Sequence, residues 1–176
     1  MARHYQILLP LLSLFLVRVD LTDLYPIRLR VELLKVYDGD TVLIGHGTYR
    51  WKLRLAKIDS PEKGQPFLGR GLDAGKMARM CLERILNSDH EYIAQIVEHD
   101  MYGRILGDLN QVSLRLIKEG CTSLYPYAEF SSRKEKFDYL KSLQKAKASR
   151  RGLWQFGGYV QPKIWRKTSR PGAGRR

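Results

Sequence analysis

Between Ile27 and Ile58 the chain is written in a two-residue period. Ile27, Leu29, Val31 and Leu33 alternate with Arg28, Arg30 and Glu32. Thr41-Val42-Leu43-Ile44 resumes after the turn signal Asp38-Gly39 and is broken by Gly45-His46-Gly47. Trp51, Leu53 and Leu55 then alternate with Lys52, Arg54 and Ala56. Period two places successive side chains on opposite faces of a strand, so residues 27–58 predict a three-stranded, antiparallel meander.

The pattern changes downstream. Residues 63–71 are rich in Gly, Lys and Gln and predict a loop. Ala74, Met77, Ala78, Cys81, Leu82 and Ile85 fall at helical spacing. Tyr92–Val97 and Arg104–Leu109 predict strands either side of a turn at Asp100–Gly103, and a short helix over 112–119 is closed by Gly120. Ser132 and Glu135 suit a capping box for a last helix running through Phe137, Leu140 and Leu143 to Gly152, with Trp154 and Trp165 packing back on the body. Five strands with interspersed helices predict a small closed barrel. An oligonucleotide-binding barrel is one candidate among several.

Charge is distributed unevenly. Of 31 Lys+Arg and 18 Asp+Glu, residues 131–176 hold 14 basic and 2 acidic side chains, so nearly all of the net +13 lies in that quarter. A cationic quarter suits nucleic acid or an anionic membrane surface, although basic helices are also often only solvated. Hydrophobic residues at 44% exclude a disordered chain, and two cysteines, Cys81 and Cys121, exclude a cysteine-stapled mini-protein or a zinc site built on Cys pairs. Their pairing is left open by the sequence. The apolar run Tyr5–Val17 follows Arg3 and resembles a secretory signal or anchor, but Arg18 and Asp20 stand where a small-x-small cleavage site is expected. Export or membrane association is therefore the expectation, a packed extension or a cytoplasmic protein the alternative. The expected division is an N-terminal segment 1–24, a folded domain 25–167 and a basic disordered tail 168–176 of Thr, Ser, Arg, Pro, Gly and Ala only.

Acidic side chains gather at Asp38-Gly39-Asp40-Thr41 and at Asp59-Ser60-Pro61-Glu62, both at strand ends. Each alone reads better as a turn than as a site. Together, Asp40, Asp59 and the Ser60 carbonyl offer oxygen ligands to a hard cation, with positions left for water and substrate. Glu62 is placed to accept a proton from water. Arg54 and Arg104 can each grip phosphate oxygens in a fork. One difficulty is geometric. Arg54 and Asp59 are five apart and face opposite sides of a regular strand, so they share a site only if the strand bends or ends between them.

The ordered segments Asp38-Gly39-Asp40-Thr41, Leu53-Arg54-Leu55 with Ile58-Asp59-Ser60-Pro61-Glu62, and Asp100-Met101-Tyr102-Gly103-Arg104 resemble the signature of the staphylococcal nuclease family, over residues 27–155. Gly152-Leu153-Trp154 after a basic helix is similar to the family's end. The resemblance implies an α+β fold, mainly a five-stranded oligonucleotide-binding barrel with three helices. It implies calcium-dependent hydrolysis of phosphodiester bonds in DNA and RNA by a monomer. Carried over by motif, Asp40, Asp59 and the Ser60 carbonyl match metal ligands, Arg54, Glu62 and Arg104 match the catalytic trio, and Asp38 matches an outer acidic residue. Ser60 stands where Thr is frequent and Met101 where Lys is familiar. Tyr125 and Tyr127 lie near the family's nucleotide-contacting tyrosines, and neither is assigned a role. The rival reading is a binding module that keeps the barrel without chemistry; such a module should have lost an Asp, the Glu or an Arg, and all are present. Replacing Arg54, Arg104 or Glu62 is expected to lower turnover with the fold intact.

Overall fold

The computed structural model describes residues 26–67, 71–86, 91–100 and 102–169. The apolar segment 1–24, Met101 and residues 170–176 of the basic tail lie outside the described residues. Strands β1 (Ile27–Val36), β2 (Thr41–His46) and β3 (Tyr49–Leu55) form the expected antiparallel meander. After a two-residue strand β4 (Ile58–Asp59) and helix α1 (Ala74–Ile85) come β5 (Glu91–His99) and β6 (Ile105–Leu109). Five of these strands close into a barrel in the order β1-β2-β3-β6-β5, with β5 returning to pair with β1. All barrel pairs are antiparallel except β3 with β6, which is parallel. The fold class is α+β, built on a closed five-stranded barrel.

Alternation fills the barrel. Val31, Val42, Ile44, Leu53, Leu55, Tyr92, Ala94, Ile96, Ile105 and Leu109 are buried inside it. The phase of β1 slips at an irregularity between Leu33 and Lys35, which returns Val36 to the interior and leaves Leu34 exposed. Helix α1 begins at Asp73, whose carboxylate accepts from the Lys76 N–H at 2.8 Å, and buries Ala74, Ala78 and Leu82 against the barrel and loop. Helix α2 (Val112–Lys118) is followed by the left-handed Gly120 (φ 71°), while Cys121 N–H donates to the Leu116 carbonyl. A disulfide joins Cys81 of α1 to Cys121.

Several expectations are corrected. Strand β4 pairs with a second short strand, β7 (Ser123–Leu124), outside the barrel; two-residue strands carry no periodicity. Helix α3 (Arg133–Ala148) buries Tyr139 and Ala146, with Leu143 partly buried, rather than Phe137 and Leu140, which are 60% and 41% exposed. Tyr139 sets that face by packing edge-on against Phe130. The helix ends earlier than expected, at Ala148, and the left-handed residue that follows it is Arg150 (φ 48°); Gly152 is also left-handed (φ 52°), two residues further on. Finally, there are four α-helices among the described residues rather than three, because Pro162–Thr168 forms α4 with Pro162 at its start. Thr168 thus closes a helix and Ser169 caps it, so the tail expected to begin at residue 168 is helical at its start.

The segment between α3 and α4 is anchored by a second small core. Phe67, Ala74 and Leu153 are buried together, and Phe67 packs edge-on against Phe156. Trp154 meets Tyr159 edge-on and is half-buried, as is Trp165. Both tryptophans are partly withdrawn from solvent, as expected. This cluster precedes α4, whose Arg166 reaches Asp59 and Glu62.

Candidate active site

The two acidic segments meet where β1 turns into β2 and β3 runs into β4. Asp38 shapes the first turn: its Oδ1 accepts from the Asp40 N–H at 3.0 Å, and Tyr37 N–H donates to the Thr41 carbonyl at 2.9 Å. Gly39 is required for space. A Cβ there would lie 2.0 Å from Ser60 Oγ and 2.7 Å from Ala78 Cβ, so a side chain would push the two acidic turns apart. What reads in sequence as a hairpin glycine is the point of contact between the two halves of the site.

The parity difficulty is resolved by the backbone. Strand β3 ends at Leu55, and Lys57 adopts a left-handed conformation (φ 69°), so the regular alternation stops between Arg54 and Asp59. Arg54 lies opposite Thr41 in the β2–β3 ladder, beside Asp40. It donates from Nη1 to Asp40 Oδ1 at 2.6 Å and from Nη2 to Asp59 Oδ1 at 3.3 Å. The Ser60 N–H donates to Asp40 Oδ2 at 3.0 Å, closing the second acidic turn onto the first. Ser123 of β7 holds the Asp59 carbonyl through its hydroxyl at 2.9 Å.

Asp40 and Asp59 are only 4% and 2% exposed, so their charges are compensated by partners rather than by bulk water. Burial and the neighbouring Asp40 charge push the Asp59 carboxyl up, against the pull of Arg166 and Arg54. Burial and Asp40 likewise raise Asp38. Three acidic groups thus crowd a small volume. Among the described residues no three His, Cys, Asp or Glu side chains form a ready metal cage. The donor set still fits a hard cation. Two buried carboxylates accept from one guanidinium, and Ser60, whose carbonyl is a further oxygen donor, follows Asp59 and bonds to Asp40 through its N–H.

Glu62 stands on a loop fixed from behind. Its N–H donates to Gln65 Oε1 at 3.1 Å, and its carbonyl accepts from Gln65 N–H at 2.9 Å. Gln65 is fully buried and donates from Nε2 to the Val160 carbonyl at 2.7 Å. The start of α1 presses on the same loop: a Cβ at Gly75 would lie 2.1 Å from the Glu62 carbonyl oxygen. The Glu62 side chain remains 45% exposed and open to water.

Arg104 stands apart from this cluster. Its Nε donates to Asp100 Oδ2 at 2.6 Å, and Asp100 Oδ1 accepts from the backbone N–H groups of Tyr102 and Arg104. Burial raises the Asp100 carboxyl, but these N–H donors and the guanidinium outweigh it and hold the group below its ordinary range. Leu106 aligns with Arg54 in the parallel β3–β6 ladder, and Arg104, two residues earlier, shares its face. The two arginines therefore project on the same side of the barrel.

Two groups in this site escape sequence reasoning. Gln65 sits in a Gly/Lys/Gln-rich loop that reads as solvated. Arg166, in the cationic quarter, donates to both Asp59 and Glu62. A lone arginine over a hundred residues downstream carries no local signal. Tyr125 and Tyr127 lie beside one another, edge to face, with Tyr127 65% exposed.

Comparison with known proteins agrees with this geometry. The chain is 30% identical over 158 residues to a micrococcal nuclease of Shigella flexneri, covering 80% of this chain and 82% of that one. It is 29% identical over 154 residues to protein ParB of Escherichia coli, covering 80% and 81%. It is 28% identical over 141 residues to an uncharacterized endonuclease of Haemophilus influenzae, covering 77% and 72%. The pattern of the family described as staphylococcal nuclease homologue matches residues 52–156, the stretch that carries Arg54, Asp59, Glu62 and Arg104. With the closed barrel and the two acidic turns already in place, that match makes this chain a member of the staphylococcal nuclease family.

Proposed function

We propose that the chain is a calcium-dependent nuclease that hydrolyses phosphodiester bonds of DNA and RNA by attack of water. The observation that carries this reading is the pair of buried carboxylates, Asp40 and Asp59, brought together from two turns and spanned by Arg54, with Glu62 beside them. Nuclease-named relatives that match most of the chain support it.

Asp40, Asp59 and the Ser60 carbonyl would hold the calcium ion. When bound, it neutralises charge on a phosphate oxygen and lowers the cost of attack at phosphorus. The protein's own groups do the rest. Arg54 and Arg104 present fixed guanidinium forks to the non-bridging oxygens, and their charge matters most as negative charge builds up in the transition state. Asp100 orients Arg104, and the Asp40/Asp59 pair orients Arg54, so neither arginine must be ordered at the moment of reaction. Glu62 accepts the proton of water at its carboxylate or orders that water, from a loop that Gln65 and Gly75 hold still.

Cleavage of single-stranded DNA, double-stranded DNA and RNA across a divalent-metal series tests the proposal. Calcium is expected to support cleavage and excess chelator to abolish it. Full activity in chelator would overturn metal dependence, and binding of all three polymers without cleavage under any metal would establish the binding-module reading instead.

We also infer that the protein works as a monomer and in an oxidising compartment. One chain supplies every residue of the site, and the Cys81–Cys121 disulfide suits export. Membrane association through residues 1–24 stays part of the same proposal; among the described residues no helix is long and apolar enough to cross a membrane. Fractionation showing a reduced, fully cytosolic protein would contradict export.

A further inference from the structure

Helix α4 lies beyond the matched family segment, which ends at residue 156, yet it reaches the centre of the site. Arg166 donates from Nη1 to Glu62 Oε1 at 2.6 Å and to Asp59 Oδ1 at 3.2 Å, and from Nη2 to Asp59 Oδ2 at 2.9 Å. Both oxygens of Asp59 are therefore engaged by one guanidinium. Lys163, three residues earlier and so on the same helical face, lies over the Tyr127 ring at 4.2 Å and donates to its hydroxyl at 2.5 Å. The helix lays one cation, Arg166, on the acidic cluster and a second, Lys163, on Tyr127. Its start is fixed by the Gln65 bond to the Val160 carbonyl and by the buried Pro162. Beyond that start the helix is lightly packed: Ile164 is 52% exposed, and a helix of seven residues has little stability of its own.

We propose that α4 is an intramolecular cover of the metal centre, in which the Arg166 guanidinium occupies the cation position at Asp59 and Glu62, so that metal binding and docking of α4 exclude one another. The proposal deepens the calcium-nuclease reading and rests on it. Arg54 engages only one oxygen of each carboxylate and leaves Asp59 Oδ2 to another cation, whereas Arg166 lies across both oxygens of Asp59, so a metal at Asp59 competes with Arg166 for the same edge and is repelled by its charge. The same contact ties up Glu62 Oε1, so the covered form is also poorly placed to take a proton from water. Linkage then requires that calcium drive α4 off the site to the same degree that α4 weakens calcium binding.

The test is calorimetric titration of calcium into the full chain and its variants, together with amide hydrogen exchange. Arg166→Gln is expected to bind calcium roughly tenfold more tightly than the natural chain, since it removes the competing closed state. Arg166→Lys keeps a competing cation and should stay near the natural affinity. In the natural chain, calcium should accelerate exchange at Ser169, whose N–H closes the end of α4 on the Trp165 carbonyl. Asp40→Asn is the control that should lose calcium. If the natural chain binds calcium, Asp40→Asn does not, and Arg166→Gln binds no more tightly, the cover is overturned and the nuclease reading stands. Weaker nucleic-acid binding by that same variant would then assign Arg166 to phosphate. No calcium binding by any chain would overturn both.

Discussion

Arg54 bridges two carboxylates that are almost wholly buried, so its removal acts on stability as well as on chemistry. Sequence reasoning treats it as a surface arginine whose loss the fold tolerates. The geometry says otherwise: Arg54→Ala leaves Asp40 without its 2.6 Å partner, and breaking a buried pair costs about 3–5 kcal/mol. Arg166 still compensates Asp59, so the lower end is expected, read as a fall in the urea midpoint. Glu62 is different. It is half exposed and its loop is held through backbone contacts, so Glu62→Gln should leave the unfolding free energy from urea titration within about 0.5 kcal/mol of the natural chain. Turnover should fall by about a hundredfold or more, the usual contribution of a general base. A Glu62→Gln protein with near-normal turnover would remove Glu62 from the mechanism.

At the scale of elements, the site depends on how α1 is held. Its first turn presses Gly75 against the Glu62 carbonyl, and Ala78 fills the space left by Gly39. The disulfide from Cys81 to Cys121, forty residues apart in sequence, ties this helix to the end of α2. Closing a loop of that size should stabilise the domain by about 4 kcal/mol through the unfolded chain. The double change Cys81→Ala with Cys121→Ala, or reduction of the natural protein, is therefore expected to lower the midpoint of thermal unfolding by about ten degrees or more. The midpoint should move without changing which metals support cleavage, because neither sulfur touches the site. An unchanged midpoint would mean that barrel packing alone fixes α1.

At the scale of the whole molecule, the barrel is nearly neutral and the C-terminal quarter is a cation. Helix α3 displays Lys134, Lys136, Lys141 and Lys145, and α4 adds Lys163, Arg166 and Lys167. Arg170, Arg175 and Arg176 follow beyond Ser169. Deleting residues 170–176, a boundary moved past Ser169 by the helix that residue caps, should weaken binding of a non-cleavable oligonucleotide at low salt. It should also flatten the slope of log affinity against log salt, since each phosphate contact releases counterions. Turnover at saturating substrate should hardly change, because uniform binding leaves the barrier from the bound state in place. An identical slope would eliminate this segment as a phosphate contact.

The three-stranded meander, the helix at 74–85 and the two acidic turns were determined by the sequence itself. Period-two alternation, helical spacing and Asp-Gly signals act between residues a few positions apart, which is the range over which side-chain direction is fixed. The same range explains the errors. Phe137 and Leu140 are as apolar as Leu143, and only the packing of Tyr139 on Phe130 decided which stripe of α3 turned inward. Whether Arg54 and Asp59 could share a site depended on a left-handed Lys57, a conformation that no residue type at that position announces. Gln65 and Arg166 became site residues through contacts 95 and 107 positions apart. Pairings at that separation are chosen by the closure of the barrel and the docking of the small Phe67–Leu153 core, and only the tertiary structure decides them.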